Sequence, residues 1–178
     1  GLGLKVTTSN RCSEITLPTG VDHDGNERTA VCCLSSLNIE TWDEWANEEG
    51  FVEDVMRFLD NVLTSFIETA PDTMARAKYS ALRERSVGLG VMGFHSFLQN
   101  RGIPFESAMA KSWNFKIFKK IRREADAASV TLADERGACP DAQDAGINAR
   151  FSNKIAIAPT ASISIITGCA SAGIEPIP

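Results

Sequence analysis

The residues best suited to chemistry lie in Asn10-Arg11-Cys12-Ser13-Glu14. In an extended segment side chains alternate between faces. Asn10, Cys12 and Glu14 then point one way, and Arg11 and Ser13 the other. That sets a thiol between an amide and a carboxylate. Sulfur supports one-electron and nucleophilic chemistry, a carboxylate accepts protons, and an amide both donates and accepts hydrogen bonds. Together they can meet one small polar ligand. The alternative is a half-buried strand whose cysteine packs as a small hydrophobe. It fits less well, because a buried carboxylate needs partners.

Three further stretches bear on a site. Cys32 and Cys33 are adjacent; neighbours on a strand face opposite sides, so only one can reach a ligand. Polarity alone does not choose between them. Lys154 to Ala158 reads as a short apolar strand that runs into Pro159-Thr-Ala-Ser162. A strand followed by small hydroxylated residues suits a turn of free backbone N–H groups. If a helix starts there, it favours an anion; ordinary Thr or Ser capping is the alternative. Gly88-x-Gly90-x-x-Gly93 matches the dinucleotide fingerprint formally. No acidic residue follows at the expected distance on a second strand. A packed strand or turn where backbones approach closely accounts for these glycines better.

Four blocks in order carry a family resemblance: Asn10-x-Cys12-x-Glu14, Ala30-Val-Cys-Cys-Leu-Ser-Ser-Leu-Asn38, Arg85-Ser-Val-Gly-Leu-Gly-Val-Met-Gly93, and Ala158-Pro-Thr-Ala-Ser-Ile-Ser164 with Gly173-Ile-Glu-Pro176. The chain resembles an internal fragment of the large, catalytic subunit of ribonucleotide reductase. The resemblance implies an α/β fold: part of a ten-stranded α/β barrel with a central catalytic loop, residues 1–178 forming one fragment of it. It implies reduction of ribonucleotides to deoxyribonucleotides by thiyl-radical chemistry. Cys12 becomes the transient thiyl radical, Glu14 the general base and Asn10 the holder of substrate hydroxyls. Cys32 matches one member of the reducing thiol pair; the family's other member lies upstream and has no counterpart here. The register of Leu34-Ser-Ser-Leu-Asn38 chooses Cys32 over Cys33. Thr160, Ala161, Ser162, Ile163 and Ser164 would hold the substrate phosphates. The implied partners are a ribonucleotide, the remaining parts of the large subunit, a radical-generating small subunit, and thioredoxin or glutaredoxin as reductant. No cofactor is expected on this fragment: the radical source is external, either a metal-bearing small subunit or adenosylcobalamin. Arg11 departs from the family, which usually has an apolar residue there. A nearby cation favours thiolate, although alternation turns Arg11 away from the thiol.

Composition narrows the rest. A length of 178 residues suits one domain with a sizeable core. A net charge of −5 and the lack of a basic tract argue against a nucleic-acid surface. No apolar run approaches the roughly 20 residues of a membrane span. Five cysteines without paired metal spacing disfavour a secreted disulfide framework and a metal site, so a reducing cytoplasm is expected. The opening Gly-Leu-Gly-Leu-Lys and the closing Ile-Glu-Pro-Ile-Pro178 read as interior sequence. The chain is therefore expected to be a truncated piece or one part of a split protein, and inactive alone.

The positioning elements follow from periodicity. Residues 4–8 alternate and read as a strand that enters the Asn-x-Cys-x-Glu stretch. Asp22 to Asn26 is a turn cluster, and Thr29 to Leu34 a second strand, the pair bringing Cys12 and Cys32 into one region. Thr41 and Glu44 have capping-box spacing. Phe51 to Ile67 predicts an amphipathic helix with Val52, Val55, Leu59, Val62 and Phe66 inward. Residues 73–84 and 94–99 predict shorter helices. Ser107 to Ala133 predicts a long one with Trp113, Ile117, Ile121, Ala125, Ala128 and Leu132 on its buried face, and Lys119, Lys120, Arg122 and Arg123 solvated. Gly137 to Gly146 reads as a loop with an exposed or capping Cys139.

Two other functions compete. A cysteine-nucleophile hydrolase would need Cys12 activated by His23 or His95. A catalytically inactive fragment would only assemble with the rest of its subunit.

Overall fold

The computed structural model describes residues 4–177. In chain order the elements are β1 (Gly20–Val21), β2 (Glu27–Arg28), β3 (Cys33–Asn38), α1 (Trp42–Trp45), α2 (Phe51–Thr69), α3 (Ala75–Glu84), β4 (Val87–Met92), α4 (Phe94–Asn100), α5 (Ala108–Arg136), α6 (Pro140–Asp144) and α7 (Ile163–Ile166). The fold is α/β. β1 and β2 form a small antiparallel hairpin closed by the Asp22–Asn26 turn. β3 and β4 pair in parallel, from Cys33 opposite Val87 to Asn38 opposite Met92. A single parallel bridge, Leu89 to Ile155, adds the edge of a third segment. Among the described residues these strands do not close into a barrel, and no helix is long and apolar enough to cross a membrane.

The parallel pair sets the plan. Every residue of β4 is buried, as expected for a strand covered on both faces. In one direction Val87, Leu89 and Val91 join Leu37 in the main core. That core continues through Val52, Met56, Leu59 and Leu63 of α2 and Ile117, Ile121, Ala125 and Leu132 of α5. α2 packs on both α5 and the β3–β4 pair. The long helix buries its predicted stripe, except that Trp113 is only half-buried; there it stacks edge-on with Phe97. α2 turns differently from expectation. Its buried stripe is Val52, Met56, Leu59, Asp60 and Leu63, while Val62 is exposed. The cause is Asp60, a charged residue that periodicity of apolar residues cannot place inward.

Asp60 is fully buried and collects three guanidinium groups. Arg85 and Arg150 each donate through Nε to its Oδ1 at 2.9 Å, and Arg136 donates to its Oδ2 at 2.8 Å. Burial alone would raise its pKa; these partners outweigh burial and hold it below the usual carboxylate range. The node ties α2 to the start of β4, the end of α5 and the segment before Phe151. A second node reverses the signs. Arg28 of the hairpin meets Asp22, Glu84 and Asp141, joining β2 to α3 and α6. A buried pair is no net stabiliser by itself, but losing one partner leaves an uncompensated charge.

Several expected elements differ. Residues 4–8 form no strand, and the second strand begins at Cys33 rather than Thr29. The partner decides this: buried β4 offers its ladder to residues 33–38. The capping box at Thr41 does not form. Asn38 caps instead, its side-chain oxygen accepting from Glu40 N, and Thr41 Oγ1 donates back to Asn38 O. The 137–146 loop contains α6, started by Pro140 at its first turn. Cys139 is wholly buried, not exposed. Residues 154–158 make one bridge rather than a strand.

Candidate functional site

The β3–β4 pair has a second face. In a parallel pair, directly paired residues project to the same side. Cys33, Val87, Ser35 and Leu89 serve the core. The opposite side takes Cys32, Ser86, Leu34 and Gly88. On that side Ile15, Leu17 and Ala156 form a small separate apolar cluster with Cys32 packed against it. Gly88 makes this possible. A Cβ there would lie 2.8 Å from Ala156 Cβ and 3.5 Å from Cys32 Sγ. Gly90 is tighter still, because its Cβ would press into the Ala156 carbonyl oxygen and lie 3.1 Å from Ile157 Cα. The glycine series is therefore a close-packing device, as expected, with no dinucleotide loop.

A cavity of about 270 Å³ opens over this face. Asn10, Glu14, Ile15, Leu17, Cys32 and Leu34 contribute to its wall. Three of the four expected catalytic residues, Asn10, Glu14 and Cys32, thus meet in one place. The fourth, Cys12, is exposed and does not line the cavity.

The route by which they meet is not the predicted one. Residues 10–13 form a turn rather than an extended strand: Ser13 N donates to Asn10 O at 3.0 Å. Ser13 takes φ 61°, a left-handed value costly for a residue with a Cβ. The loop closes further as Ile15 N donates to Asn10 Oδ1 at 3.4 Å and Ser9 Oγ to Ile15 O at 2.8 Å. Cys12 therefore sits in the turn while Asn10 and Glu14 flank it. The alternation argument that turned Arg11 away from the thiol does not hold in such a turn; Arg11 and Cys12 are both exposed. With Asn10 Oδ1 engaged by the loop, its amide N–H₂ is the group left for a ligand. Glu14 Oε2 is buried and has no hydrogen-bond partner among the described residues.

The two adjacent thiols differ in setting. Burial pushes Cys32 up to about 12; the Ser86 hydroxyl opposes this, and the charges of Glu14 and Glu84 add to it. Cys32 is thus a thiol that stays protonated at neutral pH. Burial also raises Cys33, against the nearby Arg85 charge. Cys33 packs on the main core. Sequence reasoning missed Ser86 and Ser9 as neighbours of the site. The signal for Ser86 was its place two before Gly88, on the same face as Cys32.

The segment Thr160–Ser164 does not line this cavity. Thr160 is buried at φ 56° and its Oγ1 accepts from Gly173 N at 2.8 Å. Ser164 N is tied to Thr160 O. Among the described residues, the N–H groups of Ala161, Ser162 and Ile163 have no partner within the chain, and these residues are exposed. The following loop is pinned to α4 by reciprocal bonds between Ser96 and Ser171.

The rival site does not assemble. His23 pairs with Asp24, and His95 Nδ1 accepts from Ile177 N; neither lines the cavity. Among the described residues no three His, Cys, Asp or Glu side chains are placed to hold a metal ion.

Known proteins share this arrangement of sequence and fold. The family model described as ribonucleotide reductase, barrel domain, matches residues 3–148. The ribonucleoside-diphosphate reductase large subunit of Invertebrate iridescent virus 6 is 51% identical over 168 residues, which cover 94% of this chain and 17% of that protein. The corresponding subunit of Invertebrate iridescent virus 3 is 47% identical, with 98% and 27% covered. The solved Actinobacillus ureae class Id ribonucleotide reductase alpha subunit superposes with a TM-score of 0.89 at 39% identity, covering 98% of this chain and 32% of that one. The chain spans under a third of each of these relatives. A match over most of its length, with the glycine-packed strand and the adjacent Cys32 and Cys33 inside the matched region, places the chain in the ribonucleotide reductase family, as a portion of the large-subunit barrel domain.

Proposed function

We propose that this chain carries the radical site of a ribonucleotide reductase large subunit and, as part of that larger subunit, reduces ribonucleotides to deoxyribonucleotides. One observation carries the reading: Asn10, Glu14 and Cys32 meet on one cavity beside the Cys12 turn. In this reading residues 1–178 form one fragment of a ten-stranded α/β barrel. The remaining parts of the subunit complete the barrel and supply the second redox thiol.

The residues divide the reaction. Cys12, as a thiyl radical, takes the 3′ hydrogen of the ribose. Glu14 takes the 3′-hydroxyl proton, for which its buried, unpartnered oxygen is suited. Asn10 donates from its amide to a substrate hydroxyl. The 2′-hydroxyl leaves as water with a proton from the thiol pair, Cys32 and the second thiol supply two electrons and end as a disulfide, and Cys12 returns the hydrogen to C3′, which restores its thiyl radical. Thioredoxin or glutaredoxin then restores the thiols. The free N–H groups of Ala161, Ser162 and Ile163 would take the substrate phosphates, fixing the ribose at a distance from the charged end. A metal-bearing small subunit or adenosylcobalamin would supply the initial radical.

The test is deoxyribonucleotide formation by a large subunit assembled with this chain, its radical-generating partner and thioredoxin. Cys12→Ser is expected to abolish turnover while a ribonucleotide still binds, since a hydroxyl does not replace the thiyl radical. Near-normal turnover in Cys12→Ser would overturn the assignment.

A further inference from the structure

We propose that Ser86 is a positioning residue for Cys32, its hydroxyl donating a hydrogen bond to the sulfur when that sulfur is a thiolate. The inference deepens the reading of Cys32 as a redox thiol and rests on that reading for its purpose.

The argument starts from burial. Ser86 is fully buried, and its Oγ has no hydrogen-bond partner among the described residues. A buried hydroxyl without a partner is uncommon, and leaving one unpaired is unfavourable. Its place in the fold explains why it is kept. The β3–β4 register runs Cys33 opposite Val87, so its extension by one residue sets Cys32 beside Ser86 on the cavity face. Gly88, next on that face, leaves the sulfur uncovered by any side chain of its own. In the thiol form Cys32 Sγ turns to the Cys33 carbonyl at 3.7 Å, and the serine proton has nothing to meet. An anionic sulfur is a strong acceptor and would draw it.

The surroundings make such a donor necessary. The charged groups near Cys32 are Glu14 from the loop and Glu84 from the end of α3, with Cys33 alongside on β3; all disfavour an anion there. Arg85 acts on Cys33, on the other face. Among these neighbours Ser86 is the side chain that favours the thiolate. Thiol–disulfide exchange at Cys32 passes through that thiolate, as attacking or leaving group.

The experiment reads the thiol directly in the 178-residue chain. Iodoacetamide alkylation is followed at each cysteine by peptide mass spectrometry across pH 7 to 10, in wild type, Ser86→Ala and Ser86→Thr. A hydrogen bond to a charged group corresponds to about a tenfold change in ionisation. A less acidic thiolate is intrinsically more nucleophilic, which offsets roughly half of this on a logarithmic scale. Ser86→Ala should therefore slow alkylation of Cys32 about threefold. Cys33 and Cys139 should be unchanged, the melting temperature unchanged or raised, and Ser86→Thr near wild type. An unaltered Cys32 rate in Ser86→Ala would overturn the proposal. So would equal slowing at Cys33, or loss of the fold in Ser86→Ala, either of which would make the serine purely structural. None of these readouts involves ribonucleotide turnover, so failure of the reductase reading would be seen separately.

Discussion

Gly90→Ala tests the packing that holds the cavity face together. A Cβ at this position would press into the Ala156 carbonyl oxygen, lie 3.1 Å from Ile157 Cα and 3.2 Å from Ala156 C. All three are backbone atoms, so no rotamer change relieves the contact. The 154–158 segment must recede by roughly an ångström to reach ordinary van der Waals distance. That segment is held to β4 by Leu89 N to Lys154 O at 2.8 Å and Ala156 N to Leu89 O at 3.3 Å. Overpacking typically costs about 1–3 kcal/mol, and each backbone bond weakened in a buried site adds about 1 kcal/mol. Loss of about 3 kcal/mol is therefore expected in urea denaturation, read from the midpoint at unchanged slope. Gly88→Ala should cost less. Its tightest contact is with Leu34 Cδ2, and Leu34 is 41% exposed and free to turn aside; the fixed Ala156 Cβ, at 2.8 Å, then needs only a few tenths of an ångström of backbone shift, less than Gly90 demands. A loss below about 0.5 kcal/mol for Gly90→Ala, or a larger loss for Gly88→Ala, would refute the reasoning.

Glu84 is fully buried, and burial raises its pKa to about 7, the Asp141 charge assisting and Arg28 opposing. Its folded pKa lies above the ordinary 4.5, so its contribution is present below about pH 4.5 and lost as pH rises through about 7. Glu84→Gln should gain up to roughly 3 kcal/mol over wild type at pH 8 and little at pH 4.5; a stability difference constant with pH would exclude this. In an assembled large subunit, Cys32→Ala should stop thioredoxin-dependent turnover, while Cys33→Ala should retain it and cost roughly 1 kcal/mol of stability. The reverse pattern would mean that the two faces of β3 are exchanged.

What was legible in the sequence follows from how local each cause is. The long helix announced itself because Ile117, Ile121, Ala125, Ala128 and Leu132 recur at helical spacing, and Ser107 caps it by bonding Ala110 N. The glycines of β4 were readable as close packing because nothing else in their context served a dinucleotide. The choice of Cys32 was legible only through the family register; the pairing of Leu34 with Gly88 sets the face on which Cys32 lies. The strand limits were not legible. Whether residues 29–32 or 33–38 pair depends on β4, some fifty residues away. Nor was the inward aspartate of α2, since Asp60 is buried by arginines from three other segments. The turn at Asn10–Ser13 was hidden for a different reason. A left-handed serine goes against its intrinsic preference, and the loop's own hydrogen bonds help to hold it there.

That turn is also held more lightly than the scaffold it rests on. The core on the far side of β3 and β4 joins α2 and α5 through more than a dozen large apolar side chains, and the Asp60 and Arg28 nodes lock its periphery. Among the described residues the buried cluster on the cavity side is Ile15, Leu17 and Ala156, with Cys32 against them. At about 1.5–3 kcal/mol for burying one large aliphatic side chain, Ile15 and Leu17 together hold the Cys12 loop by a few kcal/mol. The loop therefore opens at a lower free energy than the core beneath it. Cys32 and Glu14 are fixed where the loop joins the sheet, and Cys12 at the turn can approach or leave them without disturbing β3. One sulfur is thus set by the sheet and the other by a turn that the loop's own polar contacts keep closed.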